Sequence, residues 1–239
     1  MVTTNVMIKR FFFTTLLFSL PLLLFLSRNE LSYVNSNSMY PTLQVGDLLI
    51  VKPISTERLS KGEICIKKTI DEKGNLKKSV KRIAATPGDT LCIVNGVVFV
   101  NGVIQNFFYT VNGILTQGSV GGESVFPNDT VNFKWTTRDF GPIVIPQKGD
   151  SIVLTKENRI FFRRIMEETM SPIGGITSTK LNGYSYFIIS KNYYFCLGDN
   201  LAFSYDSRYW GFVSEDEFIG KATRVLFSCK KPKRFFIPL

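Results

Sequence analysis

Histidine is absent from all 239 residues of the chain. This absence excludes every active site that relies on an imidazole base, including the Ser-His-Asp and Cys-His arrangements. It also excludes zinc sites that need an imidazole ligand. If a serine of this chain is a nucleophile, its proton has to pass to another group, and a neutral lysine is the main remaining acceptor.

Cysteine is scarce and is not arranged for metal binding. The chain has four cysteines, Cys65, Cys92, Cys196 and Cys229, and none belongs to a Cys-x-x-Cys pair. Without a histidine partner they do not predict a zinc site. The first three fall in apolar runs typical of strands, so we predict that they are small buried side chains. No metal and no cofactor is expected.

The chain also lacks an arginine-rich block with interleaved aromatic residues, so no nucleic-acid partner is expected. The hydrophobic content of 44% argues against a disordered chain. The net charge of +10, beside an apolar N-terminal run, predicts contact with anionic lipid instead. The basic and aromatic tail at residues 230–239 is expected to touch lipid headgroups.

Residues 11–27 contain no charged side chain and are rich in leucine and phenylalanine. This length is at the lower limit for a helix that crosses a bilayer. Lys9 and Arg10 precede the run, which places residues 1–10 in the cytoplasm and the chain after Arg28 outside. A cleaved signal peptide is the alternative. Because no good small-x-small cleavage site follows closely, we favour an uncleaved anchor.

The remainder is patterned as a mostly β protein with short turns. Asn95-Gly96 separates two β-prone runs and predicts a two-residue hairpin, and residues 71–75 predict a second one. The helical pattern after the apolar run is Thr155 to Met170. Four turns pair a glycine with an acidic residue before a short β-prone run, and they lie at Gly46-Asp47, Gly62-Glu63, Gly88-Asp89 and Gly149-Asp150.

Two features of the sequence suggest catalytic side chains. Ser36 and Ser38 lie in a short polar loop that Pro41 stiffens, and in an extended chain residues two apart point to the same side. Lys81 differs from the other lysines around it, because Val80 and residues 83–85 are small or apolar. Such surroundings lower the pKa of a lysine by desolvation.

Three separated motifs stand out: Ser36-x-Ser38-Met39-x-Pro41-Thr42-Leu43, Lys81-Arg82 followed by Pro87-Gly88-Asp89, and Gly198-Asp199-Asn200 with Ser204-x-Asp206-Ser207-Arg208. Together and in this order they resemble the type I signal peptidases, which are Ser-Lys peptidases of family S26. The resemblance extends over residues 10–230. Within it, residues 139–142 are similar to Bacteroidetes-like members.

The resemblance implies a serine endopeptidase of the bacterial inner membrane, with one transmembrane pass and its catalytic part outside. Its substrates would be the signal peptides of exported preproteins, cut after small residues at positions −3 and −1. The implied site consists of Ser38 as nucleophile, Lys81 as general base, Ser36 with the backbone N–H of Ser38 as oxyanion hole, Ser204 as the group that orients the Lys81 amine, and Asp206 with Arg208 as a supporting ion pair.

The implied fold is a β catalytic core of the signal-peptidase type with an inserted β-rich subdomain, preceded by one N-terminal transmembrane helix. The expected divisions are residues 1–10 as the cytoplasmic N-terminus, 11–27 as the transmembrane helix, 28–102 as the first part of the core, 103–190 as the inserted subdomain and 191–239 as the second part of the core.

Two positions depart from the family pattern. Ala85 replaces a usual glycine and predicts slightly altered backbone geometry. Leu201 replaces a usual arginine and predicts the loss of a contact at the surface or behind the site. Two readings also stay open: a peptidase dedicated to pilus or conjugation processing, and a non-catalytic membrane-anchored β domain that binds extended peptides. Self-cleaving repressors share the Ser-Lys chemistry but would carry a DNA-binding domain where this chain has an anchor.

Overall fold

The computed structural model of the chain describes residues 28–54, 59–70, 75–108, 125–128, 133–170, 179–181 and 184–239. The predicted cytoplasmic residues 1–10 and membrane span 11–27 lie outside these ranges. Among the residues that are described, no helix is both long enough and apolar enough to cross a bilayer.

The described chain is mostly β, as predicted. Its helices are Arg159–Met170 (α1) and Ser207–Trp210 (α2), and short 3₁₀ turns occupy Leu201–Phe203 and Glu215–Glu217. The strands are Glu30–Tyr33 (β1), Asp47–Pro53 (β2), Ile64–Ile70 (β3), Leu76–Ala85 (β4), Thr90–Val94 (β5), Val97–Val100 (β6), Val103–Ile104 (β7), Phe140–Val144 (β8), Ser151–Val153 (β9), Thr179–Leu181 (β10), Tyr184–Ile188 (β11), Tyr193–Leu197 (β12), Val213–Ser214 (β13), Phe218–Ser228 (β14) and Ile237–Pro238 (β15).

The four predicted Gly-acid turns share one backbone conformation and one hydrogen-bond pattern. In each, the glycine has a positive φ between 85° and 105°, which the third position of a type II turn requires. The backbone N–H of the acidic residue donates to the carbonyl three residues earlier. Its carboxylate in turn accepts the N–H of that earlier residue, in the pairs Gln44–Asp47, Ser60–Glu63, Thr86–Asp89 and Gln147–Asp150. These turns fix where β2, β3, β5 and β9 begin.

The largest sheet has eight antiparallel strands in the order β1-β2-β14-β3-β4-β12-β13, with β15 paired to β14. β3 and β4 pair from Ile64↔Arg82 to Ile70↔Leu76. This pairing confirms the predicted hairpin, although its turn residues 71–74 lie outside the described ranges. On the other side of β4, β12 pairs only with residues 82–85. Residues 76–81 therefore have no strand partner on that side within the described structure.

Two smaller sheets have the orders β7-β6-β5-β8 and β10-β11-β9. The predicted hairpin at Asn95-Gly96 is confirmed, because β5 and β6 pair from Leu91↔Val100 to Val94↔Val97. Both turn residues have positive φ, 50° and 80°, as a type I′ turn requires. β5 also pairs with β8, so residues 90–100 share a sheet with part of the predicted subdomain. The division into segments 28–102, 103–190 and 191–239 stays a prediction.

Helix α1 begins four residues later than its pattern predicted. Thr155 and Asn158 form a turn before it, in which the backbone N–H of each donates to the side chain of the other. Such a reciprocal pair caps the start of a helix, and the backbone N–H of Arg159 also donates to the Thr155 carbonyl. The regular helix therefore follows this capped turn. Ile165 of α1 is buried, and Phe161 and Met166 pack against the same core.

Apolar side chains from β4, β5, β8, β12 and α1 form the largest core cluster. Leu201 belongs to this cluster and is only 2% exposed, so of the two predicted places for its lost contact, burial favours the one behind the site. The backbone around it turns inward because the Leu201 carbonyl accepts a hydrogen bond from the buried Arg208. Ala85 is also buried, opposite Phe195, and the β4–β12 register shifts between Phe195 and Cys196.

The cysteines lie where the sequence placed them, with one partial exception. Cys65 and Cys196 are buried, Cys92 is half-buried and Cys229 is exposed, and all four are free thiols. Burial raises the pKa of the Cys65 thiol to about 12. The two buried cysteines therefore act as small apolar side chains.

Candidate active site

The nucleophile loop, residues 34–46 between β1 and β2, carries the two predicted serines. Its apolar members Met39 and Leu43 are 1% and 0% exposed and pack into a core cluster of the large sheet. The backbone N–H of Leu43 donates to the Met39 carbonyl at 2.8 Å, which closes a tight turn. These two anchors hold the loop against the sheet and leave Ser38 at the rim, 6% exposed.

Lys81 reaches the nucleophile loop from β4. Its Nζ lies 3.1 Å from Ser38 Oγ and donates to the Val80 carbonyl at 3.0 Å. The residue is 5% exposed. Burial lowers the pKa of the Lys81 amine from its ordinary value, although nearby carboxylates, of which Asp206 acts most strongly, oppose the shift. Residues 43 positions apart thus form a buried hydroxyl–amine contact.

Ser36 lies beside this contact, as its spacing predicts. Its Oγ is 3.1 Å from Ser38 Oγ, and its side chain is exposed toward the cleft. The hydroxyl group of Ser36 can therefore rotate toward a group bound next to Ser38. Its predicted role in the oxyanion hole remains a prediction.

Asp206 and Arg208 form a fully buried ion pair, since both side chains are 0% exposed. Nε and Nη2 of Arg208 donate to the two Asp206 oxygens, each at 2.9 Å. The guanidinium also donates to the carbonyls of Thr137, Leu201 and Ser204. The pair therefore fixes the backbone on both sides of Ser204.

Ser204 is fully buried, but its Oγ has no hydrogen-bond partner among the described residues. The structure therefore does not show the predicted hydrogen bond to the Lys81 amine. The lack of a side chain at Gly198 lets Ser204 approach the nucleophile loop closely. A Cβ on Gly198 would lie 2.2 Å from Ser204 Oγ and 2.5 Å from the Ser38 carbonyl oxygen, so any side chain there would separate the two segments.

The structure adds three residues to which the sequence assigned no role. Arg82 and Asp199 form a buried bidentate ion pair, with Nε–Oδ1 and Nη2–Oδ2 distances of 2.7 and 2.6 Å. Asn200 donates its backbone N–H to the Ser38 carbonyl at 3.0 Å and its side-chain amide to the Asn37 carbonyl at 3.1 Å. All three lie within the motifs that carried the resemblance, but only the fold pairs them.

A cleft of about 340 Å³ opens onto Ser38 and Lys81. One wall is β1 with the start of the nucleophile loop, residues 31–36, and the other is residues 78–80 of β4. Both walls expose strand edges, since β1 ends the sheet and this part of β4 lacks a partner on one side in the described structure. No group of three or more Cys, Asp or Glu side chains within the described residues is placed to hold a metal ion.

A family model described as "Signal peptidase, peptidase S26" matches residues 5–227, nearly the whole chain. The chain belongs to this family. The predicted resemblance to the type I signal peptidases is thereby confirmed, and the chain is a peptide hydrolase of family S26. The similarity to Bacteroidetes-like members stays a prediction.

Relatives carry the same family name. Signal peptidase I of Aquifex aeolicus is 28% identical over 208 residues, covering 83% of this chain and 76% of that protein. Signal peptidase I of Buchnera aphidicola subsp. Schizaphis graminum is 29% identical over 258 residues, covering 93% and 77%. The crystal structure of a signal peptidase I from Enterococcus faecalis V583 matches at 20% identity and a TM-score of 0.33, over 71% of this chain and all of that one.

Ser204→Ala separates a catalytic from a structural role for this side chain. Because Ser204 Oγ is buried and has no hydrogen-bond partner among the described residues, its removal should not lower the melting temperature. If the hydroxyl orients the Lys81 amine during the reaction, kcat should fall by roughly 2-fold to 10-fold, the value of one hydrogen bond. Both quantities are measured on one preparation. An unchanged kcat would remove Ser204 from the mechanism of this peptidase.

Proposed function

We propose that the chain is a membrane-anchored endopeptidase that removes N-terminal signal peptides from exported preproteins with a Ser38–Lys81 dyad. The observation that carries the proposal is the 3.1 Å contact between Lys81 Nζ and Ser38 Oγ at a buried position, in a chain without histidine. A desolvated lysine can be neutral at working pH and can accept the serine proton. The family relationship supports the substrate class.

The geometry supports a two-step reaction. Neutral Lys81 takes the hydroxyl proton of Ser38 while Oγ attacks the scissile carbonyl carbon. The C–N bond then breaks, and Lys81 gives that proton to the departing amine, which leaves an ester of the signal peptide on Ser38. Lys81, neutral again, takes a proton from a water molecule that attacks the ester. Hydrolysis releases the signal peptide and restores the Ser38 hydroxyl.

The cleft supports binding of the substrate as an extended strand. A peptide laid between β1 and residues 76–81 of β4 could pair its backbone with either exposed edge. Ser38 and Lys81 line the same cleft, which would bring a peptide bond to the dyad. We expect small residues at positions −3 and −1, as in the family.

The developing oxyanion would lie between the backbone N–H of Ser38 and the hydroxyl of Ser36. Ser36→Ala should then lower kcat with little change in KM, because the donor acts mainly in the transition state. Loss of such a donor costs on the order of 100-fold to 1000-fold in other hydrolases. Ser36→Thr keeps a hydroxyl and should retain much of the rate.

The control for this prediction is Ser190→Ala, which removes an exposed hydroxyl outside the cleft and should leave kcat unaltered. If Ser36 only stabilises the loop, Ser36→Ala should lower the melting temperature and leave the rate per folded molecule intact. That pattern would exclude Ser36 from the oxyanion hole.

The proposed location is the bacterial inner membrane, with one pass at residues 11–27 and the catalytic part on the outer side. The support is the uncharged run itself and Lys9-Arg10 before it. The enzyme would then be in permanent contact with the phospholipid bilayer.

The test uses the full chain in vesicles of bacterial lipid with purified preproteins of several unrelated exported proteins. We expect a cut after a small residue at −1 in most of them, located by N-terminal sequencing of the product. A preprotein with a large residue at −1 should stay intact. Failure to cut any preprotein would contradict the proposal, and cutting only one would favour a dedicated processing peptidase. Protease added to spheroplasts, outside the inner membrane, should digest the chain after Arg28. If only residues 1–10 were accessible, the orientation would be reversed.

A further inference from the structure

The C-terminal segment, residues 229–239, lies beyond the part of the chain that the family model matches, yet it contacts the nucleophile loop. β15 pairs with β14 at Arg224↔Pro238 and Val225↔Ile237, so the segment turns back along the large sheet. At its start, the backbone N–H of Cys229 donates to the Gly46 carbonyl at 2.9 Å. The turn between these two contacts brings Arg234 to the end of the loop.

The guanidinium of Arg234 joins two groups at that end of the loop. Its Nε and Nη2 donate to Oδ1 and Oδ2 of Asp47 at 3.1 and 2.8 Å, and Nη2 also donates to the Thr42 carbonyl at 2.8 Å. Asp47 is 0% exposed, and its Oδ2 also accepts the backbone N–H of Gln44. Burial alone would raise the pKa of Asp47, but the hydrogen bonds from Arg234 and Gln44 outweigh it and lower that pKa.

The nucleophile loop is thus held from outside at both ends. Asn200 holds the Ser38 and Asn37 carbonyls, as described above, and Arg234 holds the Thr42 carbonyl four residues later. We propose that Arg234 is a positioning residue that sets the nucleophile loop against Lys81. The fork shape matters, because a guanidinium can bond a carboxylate and a carbonyl at once, whereas a lysine amine is a point charge. This inference rests on the proposed function of Ser38 and Lys81.

The test compares Arg234→Met, Arg234→Lys and a matched control, Arg224→Met. Arg224 anchors the same tail, since its guanidinium lies 4.7 Å from the Phe236 ring. No hydrogen bond or ion pair within the described structure links its side chain to the nucleophile loop. For the full chain in detergent, Arg234→Met should lower kcat by roughly 10-fold to 100-fold, the cost of a small misplacement near the reacting atoms. KM should change little, and Arg234→Lys should recover part of the loss. Arg224→Met should keep kcat within about 2-fold of wild type.

Two results would overturn the inference. One is that Arg234→Met lowers only the melting temperature and keeps kcat per folded molecule. The other is that Arg224→Met loses as much kcat as Arg234→Met, because then the tail acts as a whole. Neither result touches the proposed function, which fails separately if Ser38→Ala cuts the same preprotein as fast as wild type.

Discussion

Lys81→Met is expected to lose nearly all cleavage of a preprotein while the protein stays folded. Methionine fills a similar volume but cannot accept the Ser38 proton, and no histidine is available to replace the amine. Loss of the base in comparable serine hydrolases costs on the order of 10⁴-fold or more. Because the Lys81 side chain is buried, an apolar replacement should not lower the melting temperature. Ser38→Ala should cause a loss of similar size.

Lys81→Arg makes the same prediction more specific. Arginine keeps the positive charge but cannot be deprotonated in a protein, so this variant should be inactive as well. The measurement is the initial rate of cleavage per folded molecule, with Lys68→Met as control. Lys68 is exposed on the neighbouring strand β3, and its removal should leave the rate intact. An active Lys81→Arg enzyme would rule out Lys81 as the base.

Arg208→Met is expected to have the largest effect on stability. It would leave the Asp206 carboxylate buried without its partner and would remove donors from three carbonyls. Breaking a buried pair by removing one partner costs about 3–5 kcal/mol, a large share of the total free energy of unfolding of a domain. Urea unfolding of the detergent-solubilised chain should show a much lower midpoint, or no cooperative transition.

The contrast for this experiment is Lys191→Met. Lys191 pairs with Asp216 at 2.6 Å, but both side chains are largely exposed, 43% and 61%. Exposed pairs contribute about 1 kcal/mol or less, so the unfolding midpoint should move little. Equal effects of the two variants would show that burial of the Arg208 pair does not determine stability.

The sequence predicted the features that depend on neighbouring residues. Each Gly-acid turn and the Asn95-Gly96 hairpin is a local arrangement, in which the required φ angles belong to two residues. The Ser36–Ser38 spacing was likewise enough to place two hydroxyls together. Lys81 was recognisable because apolar neighbours surround it along the strand.

The rest depends on contacts between distant segments. The bonds from Arg82 to Asp199 and from Arg234 to Asp47 join residues 117 and 187 positions apart, and no local pattern encodes such pairs. The sequence left open for the same reason whether the Leu201 contact lies at the surface or behind the site, since the burial of Leu201 involves the backbone that Arg208 holds. The beginning of α1 was missed because Thr155 and Asn158 form a capped turn before the regular helix, and the apolar periodicity does not reveal such a cap.

The most direct test of the central claim is the pH dependence of kcat/KM, because the mechanism requires a neutral Lys81. Burial lowers the pKa of this amine, so the active neutral form gains population as pH rises through a value below that of a free lysine, about 10.4. We predict a rate that rises on the alkaline side, with no step near pH 6.5, where a histidine of about that pKa would titrate. A profile that is flat from about pH 6 to 9 would contradict a lysine base at position 81.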